Sequence, residues 1–259
     1  MAEEFCTILG VRFYCGSAKD AVERIRQGGL LVVPAAPALK DIASNRGYRE
    51  ALLGADLCIP DSAFMVLIWN RIAKQKIHRV SGLAYLRELL AAPDVQRAGN
   101  VVWIMANPAS ARRNRAWLKS QGIEVPGECV HLAPIYAPIY APIYADAEGE
   151  IEDAALLELL ERVRPQHVIL TIGGGTQERL GYHLKQRLSY PAAIHCVGAA
   201  IAFLSGDQVP IPVWADRLYL GWLLRSMAQP RRFVPRYWGA RKLYRLMVRY
   251  REQLPEIRG

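Results

Sequence analysis

Four short segments carry residue types able to do chemistry, and each lies next to an apolar run or a helical pattern. Ile59-Pro60-Asp61-Ser62 offers a carboxylate. Such a carboxylate can cap the helix after it, or take a proton from an incoming hydroxyl as a general base. Thr171-Ile172-Gly173-Gly174-Gly175-Thr176-Gln177-Glu178 places a glycine run at the start of a helical pattern. Three glycines suit a tight turn, and they also let backbone amides and a helix N-terminus approach a diphosphate. Gln177 and Glu178 add polar groups able to grip a sugar or a uracil. Val197-Gly198-Ala199-Ala200 is a second small-residue turn, suited to lining the same crevice. Arg79-Val80-Ser81-Gly82 supplies a candidate phosphate ligand, Arg79, and a candidate helix N-cap, Ser81.

Other chemistries find little support. The glycine run is neither the dinucleotide fingerprint GxGxxG nor a lysine-bearing P-loop, which argues against an oxidoreductase or an NTPase. No GxSxG motif suggests a serine hydrolase. His78, His131, His167, His183 and His195 are scattered without metal-ligand spacing and are expected to be surface or core residues. Cys6, Cys15, Cys58, Cys129 and Cys196 are odd in number and lack CxxC spacing. Reduced thiols are expected, with neither a disulfide framework nor a metal cluster.

The elements that position these segments follow from periodicity. Apolar runs at 30–33, 57–59, 101–105, 168–172 and 193–197 are followed by helical patterns at 38–53, 62–73, 110–121, 178–188 and 200–204. Buried strands that each lead into a helix predict an α/β fold with a mainly parallel, Rossmann-like sheet flanked by helices. Ligands of such sheets gather at the carboxyl ends of strands. With 259 residues, 52% of them hydrophobic and 22% charged, the chain can bury a large core. Ala133–Tyr144 is APIY three times over, which excludes a helix and suits an extended surface loop or an aromatic shelf for a sugar. The start, MAEEFCTILG, lacks a basic n-region, so no signal peptide is expected. No apolar stretch is long enough to span a bilayer.

The formal charge of +9 is unevenly placed. From Arg217 onward there are eleven Lys and Arg against Glu252 and Glu256, so the preceding residues are neutral. This divides the chain into an α/β body, 1–212, and a basic helical appendage, 213–259. Leu243, Leu246, Met247, Tyr250 and Leu254 recur at helical spacing among Arg241, Lys242, Arg245 and Arg249. A basic amphipathic helix with aromatic edges suits an anionic lipid surface. Packing on the body and a nucleic-acid backbone are the competing uses of the same pattern.

In their order, these segments resemble the WecG/TagA/CpsF family of bacterial glycosyltransferases, glycosyltransferase family 26. The similarity runs from about Leu31 to Tyr237, through ADLCIPDSAFM, HRVSGLAYLRELL, GGGTQE, VGAAIAFLSG and IPVWADRLYLGWLLRSMAQPRRFVPRY. The resemblance implies an inverting transfer of sugar from a UDP-sugar to a polyprenyl-diphosphate-linked saccharide, without an obligatory metal or other cofactor. It implies work at the cytoplasmic face of the membrane, by a peripheral protein in polysaccharide biosynthesis. Asp61 then matches the proposed base, and Arg79 and Gln177 match substrate-contacting positions. Gly173, Gly174, Gly175, Glu178 and Gly198 would line the donor site. Arg225, Arg231 and Arg232 match arginines of an appendage thought to close over that site and meet the membrane. The chain departs from the family pattern at Pro34-Ala35-Ala36-Pro37, where a Thr-x-Asn-Pro is usual, and at Ser62, Gly175, Ile201-Ala202, Pro210 and Gly221. The expected outcome is an active enzyme with a donor other than an N-acetylmannosamine type. A catalytically silent nucleotide-sugar or nucleic-acid binding protein is the alternative, although no nucleic-acid partner is expected. A homo-oligomer is compatible with the sequence, which does not set the oligomeric state.

Overall fold

A hairpin opens the chain: β1 (Phe5–Ile8) turns back on β2 (Val11–Tyr14) through Leu9 and Gly10, at φ 53° and 78°. Two successive left-handed residues make the tight turn whose twist matches that of paired strands. The computed structural model describes residues 4–134, 136 and 151–257, the side chain of Arg232 excepted. After the hairpin come α1 (Ala18–Ile25), β3 (Gly29–Val32), α2 (Ala36–Leu39), α3 (Arg46–Leu53) and β4 (Leu57–Cys58). Next are α4 (Ala63–Ile72), α5 (Gly82–Ala91), α6 (Pro93–Gln96), β5 (Val101–Met105), α7 (Pro108–Ser120) and β6 (Val130–Leu132). The chain continues with α8 (Ala154–Val163), β7 (His167–Leu170), α9 (Thr176–Arg187), β8 (Ala193–Cys196) and α10 (Ala200–Leu204). It ends in four helices: α11 (Val213–Arg217), α12 (Gly221–Ala228), α13 (Pro230–Ala240) and α14 (Lys242–Tyr250).

Among the described residues eight strands form one sheet in the order β1-β2-β4-β3-β8-β7-β5-β6, parallel throughout except between β1 and β2. The expected α/β fold, with a mainly parallel Rossmann-like sheet between helices, is what the chain adopts. One face is covered by α2, α3, α4, α8, α9 and α14, whose buried side chains include Leu39, Tyr48, Met65, Leu156, Leu180 and Leu243. The other face is covered by α1, α5, α7 and α10, through Val22, Leu86, Leu118 and Ile201. The neighbouring strands β3 and β8 thus send their following helices to opposite faces, which opens a crevice at their carboxyl ends.

Two sequence expectations change. The helix expected over 38–53 is two helices, because the Asn45 side chain accepts from the Tyr48 amide at 2.8 Å and starts α3 afresh. The apolar stripe of α14 does not face outward: Leu243 and Met247 are fully buried in the main core, with Leu246, Tyr250 and Leu254 packed against it. Burial of two such side chains stabilises by about 1.5–3 kcal/mol each, so packing on the body is the use this helix makes of its pattern. Its end returns to the first hairpin, where the Leu9 and Gly10 amides donate to Arg251 and Glu252 carbonyls at 2.7 and 2.9 Å. Most of the APIY repeat lies outside the described residues. The first repeat tyrosine, Tyr136, donates its hydroxyl to Asp153 at 2.6 Å, beside His131 at 2.8 Å.

The histidines are less scattered in space than in sequence. His167 and His195 sit on adjacent strands with rings stacked at 5.3 Å and hydrogen-bonded at 3.1 Å. The chain of contacts continues from His195 to the Tyr85 hydroxyl at 2.7 Å, and from His167 to Asp94 at 3.2 Å. Arg26 closes it on Asp94 at 2.7 Å. Burial pulls both imidazoles below their ordinary value, His195 the further, since it is wholly buried while His167 is partly held up by its hydrogen bond to Asp94.

Candidate functional site

Asp61 leaves the carboxyl end of β4 through Pro60, and its side chain does not cap the helix after it. Ser62 does that, accepting from the Met65 amide at 3.2 Å. Asp61 Oδ1 instead accepts from the Gly82 amide at 2.9 Å and from Arg79 Nη2 at 3.3 Å. Gly82 opens α5, so its amide lacks an intrahelical acceptor and takes the carboxylate as one. The expected N-cap of α5 is in place: Ser81 Oγ accepts from the Ala84 amide at 3.0 Å. A Cβ on Gly82 would stand 3.4 Å from Val33 Cγ2 and 3.6 Å from the Val197 carbonyl. The Asp61 cluster therefore abuts the crevice between β3 and β8.

The glycine run forms the turn from β7 into α9. Gly175 sits at φ 94° as the N-cap residue, a conformation that favours glycine. A Cβ there would meet nothing within 4 Å, and one on Gly174 only Glu178 Oε1 at 4.0 Å, so space lies open beside the turn. Gly173 is exposed. Gln177 and Glu178 differ from expectation, since both side chains are buried and bonded within the protein. Glu178 accepts from the Gly175 amide and from Gln177 Nε2; the first bond is the half of a capping box that a glycine N-cap permits. Gln177 Oε1 accepts from the Gly198 amide at 2.7 Å. Both build the frame, and neither turns its polar atoms toward open space. Burial pushes the Glu178 carboxyl up, against hydrogen bonds from Gln177 and Gly175 and the charge of Arg236.

The C-terminal helices link these two places. Arg79 is gripped from both sides: Nε donates to the Asp61 carbonyl, and Nη1 to Asp216 Oδ1 at 2.7 Å and to the Asp216 carbonyl at 2.9 Å. Burial alone would pull the guanidinium down, but Asp61 and Asp216 hold it above its ordinary value. Arg225 on α12 lies over the rings of Phe203, Tyr237 and Phe233 at 5.3, 5.5 and 5.6 Å. Burial pulls its guanidinium down, while Tyr237 and Asp61 act upward and Arg236 and Arg79 downward. Arg236 was not among the expected site residues. Its charge acts on Glu178, Arg225 and Tyr237, so it lies within electrostatic reach of all three. The Arg-Tyr pair that ends the similarity, Arg236-Tyr237, was the available signal. Arg231 is exposed on α13, and Arg232 lies on the same helix with its side chain outside the described residues.

The loop after β3, Val33 to Ala35, offers no side-chain donor, and α2 starts at Ala36 without a side-chain cap. Among the described residues no three His, Cys, Asp or Glu side chains are grouped to hold a metal ion. No helix among them is long and apolar enough to cross a membrane.

Geometry thus assembles a carboxylate, two open glycine positions at a helix N-terminus and three arginines around one crevice of a parallel sheet. A comparison with curated proteins finds no match. The family model for the glycosyl transferase WecG/TagA/CpsF family matches residues 6–256, nearly the whole chain, and the chain belongs to that family of glycosyltransferases.

Proposed function

We propose that the chain moves a sugar from a UDP-sugar to a polyprenyl-diphosphate-linked saccharide, with inversion at the anomeric carbon. The observation that carries this reading is the Asp61 carboxylate. Its Oδ1 is held by Gly82 and Arg79, while among the described residues Oδ2 makes no hydrogen bond. In the reaction the acceptor oxygen attacks the anomeric carbon, the bond from that carbon to the diphosphate oxygen breaks, and the acceptor proton passes to Asp61. UDP leaves, and its charge is met by Arg225 and Arg236, fixed cations in a partly dry site. The diphosphate rests on the Gly173–Gly175 turn at the N-terminus of α9, with Gly198 beside it. Lacking side-chain donors after β3, the site favours a donor other than the N-acetylmannosamine type. Exposed Trp214, Leu218, Trp222, Met227 and Trp238, with Arg217 and Arg231 among them, form the surface that meets anionic lipid at the cytoplasmic face.

Transfer of radiolabel from UDP-hexoses to a lipid-linked acceptor tests the proposal. Asp61→Asn is expected to lower kcat by about 10²–10⁴-fold, the usual range for a general base. Full activity in that variant removes Asp61 from the mechanism.

A further inference from the structure

Asp216 lies on α11, 137 positions beyond Arg79, inside the matched segment IPVWADRLYLGWLLRSMAQPRRFVPRY but outside the expected site residues. Its side chain nevertheless makes the most connected ion pair of the site. One carboxylate oxygen takes Arg79 Nη1 at 2.7 Å, and the other takes the Ser81 hydroxyl. The Asp216 carbonyl takes a second bond from the same guanidinium nitrogen. Tyr219, held at φ 63°, lays its ring 5.7 Å from the Arg79 carbon. Arg79 in turn spans to Asp61 with its two other nitrogens.

A guanidinium is a rigid planar fork, so fixing one edge fixes the direction of the others. The edge bound by Asp216 therefore sets where Nε and Nη2 point, and these hold the carbonyl and the carboxylate of Asp61. Without the Asp216 carboxylate Arg79 would lose the ion pair on that edge and keep there only a main-chain carbonyl and the Tyr219 ring, a looser hold that lets it shift with Asp61. We propose that Asp216 is a positioning residue for the transfer reaction, acting through Arg79 to fix the Asp61 carboxylate. This rests on the reading of Asp61 as base. It gives α11 a duty inside the site, separate from any contact with lipid.

The Gly82 amide reports the position of Asp61 without any turnover, because its acceptor in the structure is Asp61 Oδ1. Hydrogen exchange at Gly82, calorimetry with UDP and transfer from radiolabelled UDP-hexoses are compared in wild type, Asp216→Asn, Asp216→Glu and Asp61→Asn. The Leu170 amide in β7 serves as a folding control. Asp216→Asn is expected to speed Gly82 exchange at least about tenfold and to lower kcat by about 10²-fold, the scale of a misplaced catalytic group. Its Kd for UDP should stay within about twofold of wild type, and Asp216→Glu should recover part of both losses. Unchanged Gly82 exchange in Asp216→Asn overturns the inference, as does a loss of rate carried by weaker UDP binding. Full activity in Asp61→Asn instead defeats the base assignment, and Gly82 exchange still decides whether Asp216 positions Asp61.

Discussion

Gln177 Oε1 accepts the Gly198 amide at 2.7 Å, which ties the loop after β7 to the loop after its neighbour β8. The same side chain donates to Glu178 at 3.1 Å. One buried amide therefore sets the width of the crevice floor. Gln177→Leu keeps the volume and leaves the Gly198 N–H without its acceptor, at a cost of about 1–3 kcal/mol. The melting temperature should fall by a few degrees, and UDP affinity should fall with it. Calorimetry and thermal melts of the variant check both. An unshifted melt would show that the amide finds another acceptor.

The glycine turn separates folding from binding at adjacent positions. Gly175 at φ 94° penalises any side chain, so Gly175→Ala should lower stability by about 1–2 kcal/mol. Gly174 has no such φ, and a Cβ there meets only Glu178 Oε1 at 4.0 Å. Gly174→Ala should melt like wild type while binding UDP more weakly. Wild-type affinity in Gly174→Ala places the diphosphate elsewhere.

Stability should decline as pH falls below neutrality because of the buried histidine pair. Unfolded histidine gains its proton near pH 6.5, whereas His167 and His195 resist protonation in the fold. The unfolded chain then binds more protons, and each histidine contributes a slope of up to about 1.4 kcal/mol per pH unit until its folded value is reached. Asp94 acts in a lower window. Burial pushes its carboxyl up, but bonds from Arg26 and His167 outweigh this and hold it below 3.8, so its contribution is lost as pH falls below that value. Urea titrations at pH 7, 6 and 5 should show the decline, and His195→Asn should flatten it between 6.5 and 5.

The apolar residues of the C-terminal helices fall into a buried set and an exposed set. Leu243→Ala should cost about 2–5 kcal/mol, the range for a fully buried leucine, and leave binding to anionic vesicles intact at temperatures where it is folded. Joint replacement of the exposed Trp214, Trp222 and Trp238 by Ala should leave the melt within about 1 °C and weaken vesicle sedimentation by at least about tenfold. Undiminished sedimentation of the triple variant would show that α11–α13 do not meet lipid.

How much of this was legible follows from physics at particular residues. Continuous apolar runs such as Val101–Met105, short, β-branched and bounded by turn residues, read as strands buried on both faces, and their helices came with them. The hairpin was not visible, because its turn rests on Leu9 at φ 53°, an unusual residue for that conformation. β6 and α8 escaped notice beside the APIY repeat. Gly173–Gly175 and Asp61 stood out by their place at strand ends, although a tight turn and a helix cap account for the same residue types. That Asp61 does not cap α4 follows from Ser62 taking the cap, a local competition that spacing does not decide. The amphipathic pattern of α14 is the same for a bilayer and for a protein face, so only tertiary contact separates them. Asp216 with Arg79, and His167 with His195, are pairings of distant segments that a linear pattern does not contain.

The return of residues 251–254 to the Leu9–Gly10 turn bears on how the protein is made. A nascent chain holding every strand and the glycine turn still lacks Leu243 and Met247, so its core presents a vacant apolar trough along α4. The last helix must leave the ribosome before that trough can close, and with it α11–α13 become a span fastened at both ends. Premature termination between Tyr237 and Leu243 should therefore yield a species recognised by chaperones and proteases as unfinished, although Asp61, Arg79, the glycine turn and Arg236 have already been synthesised.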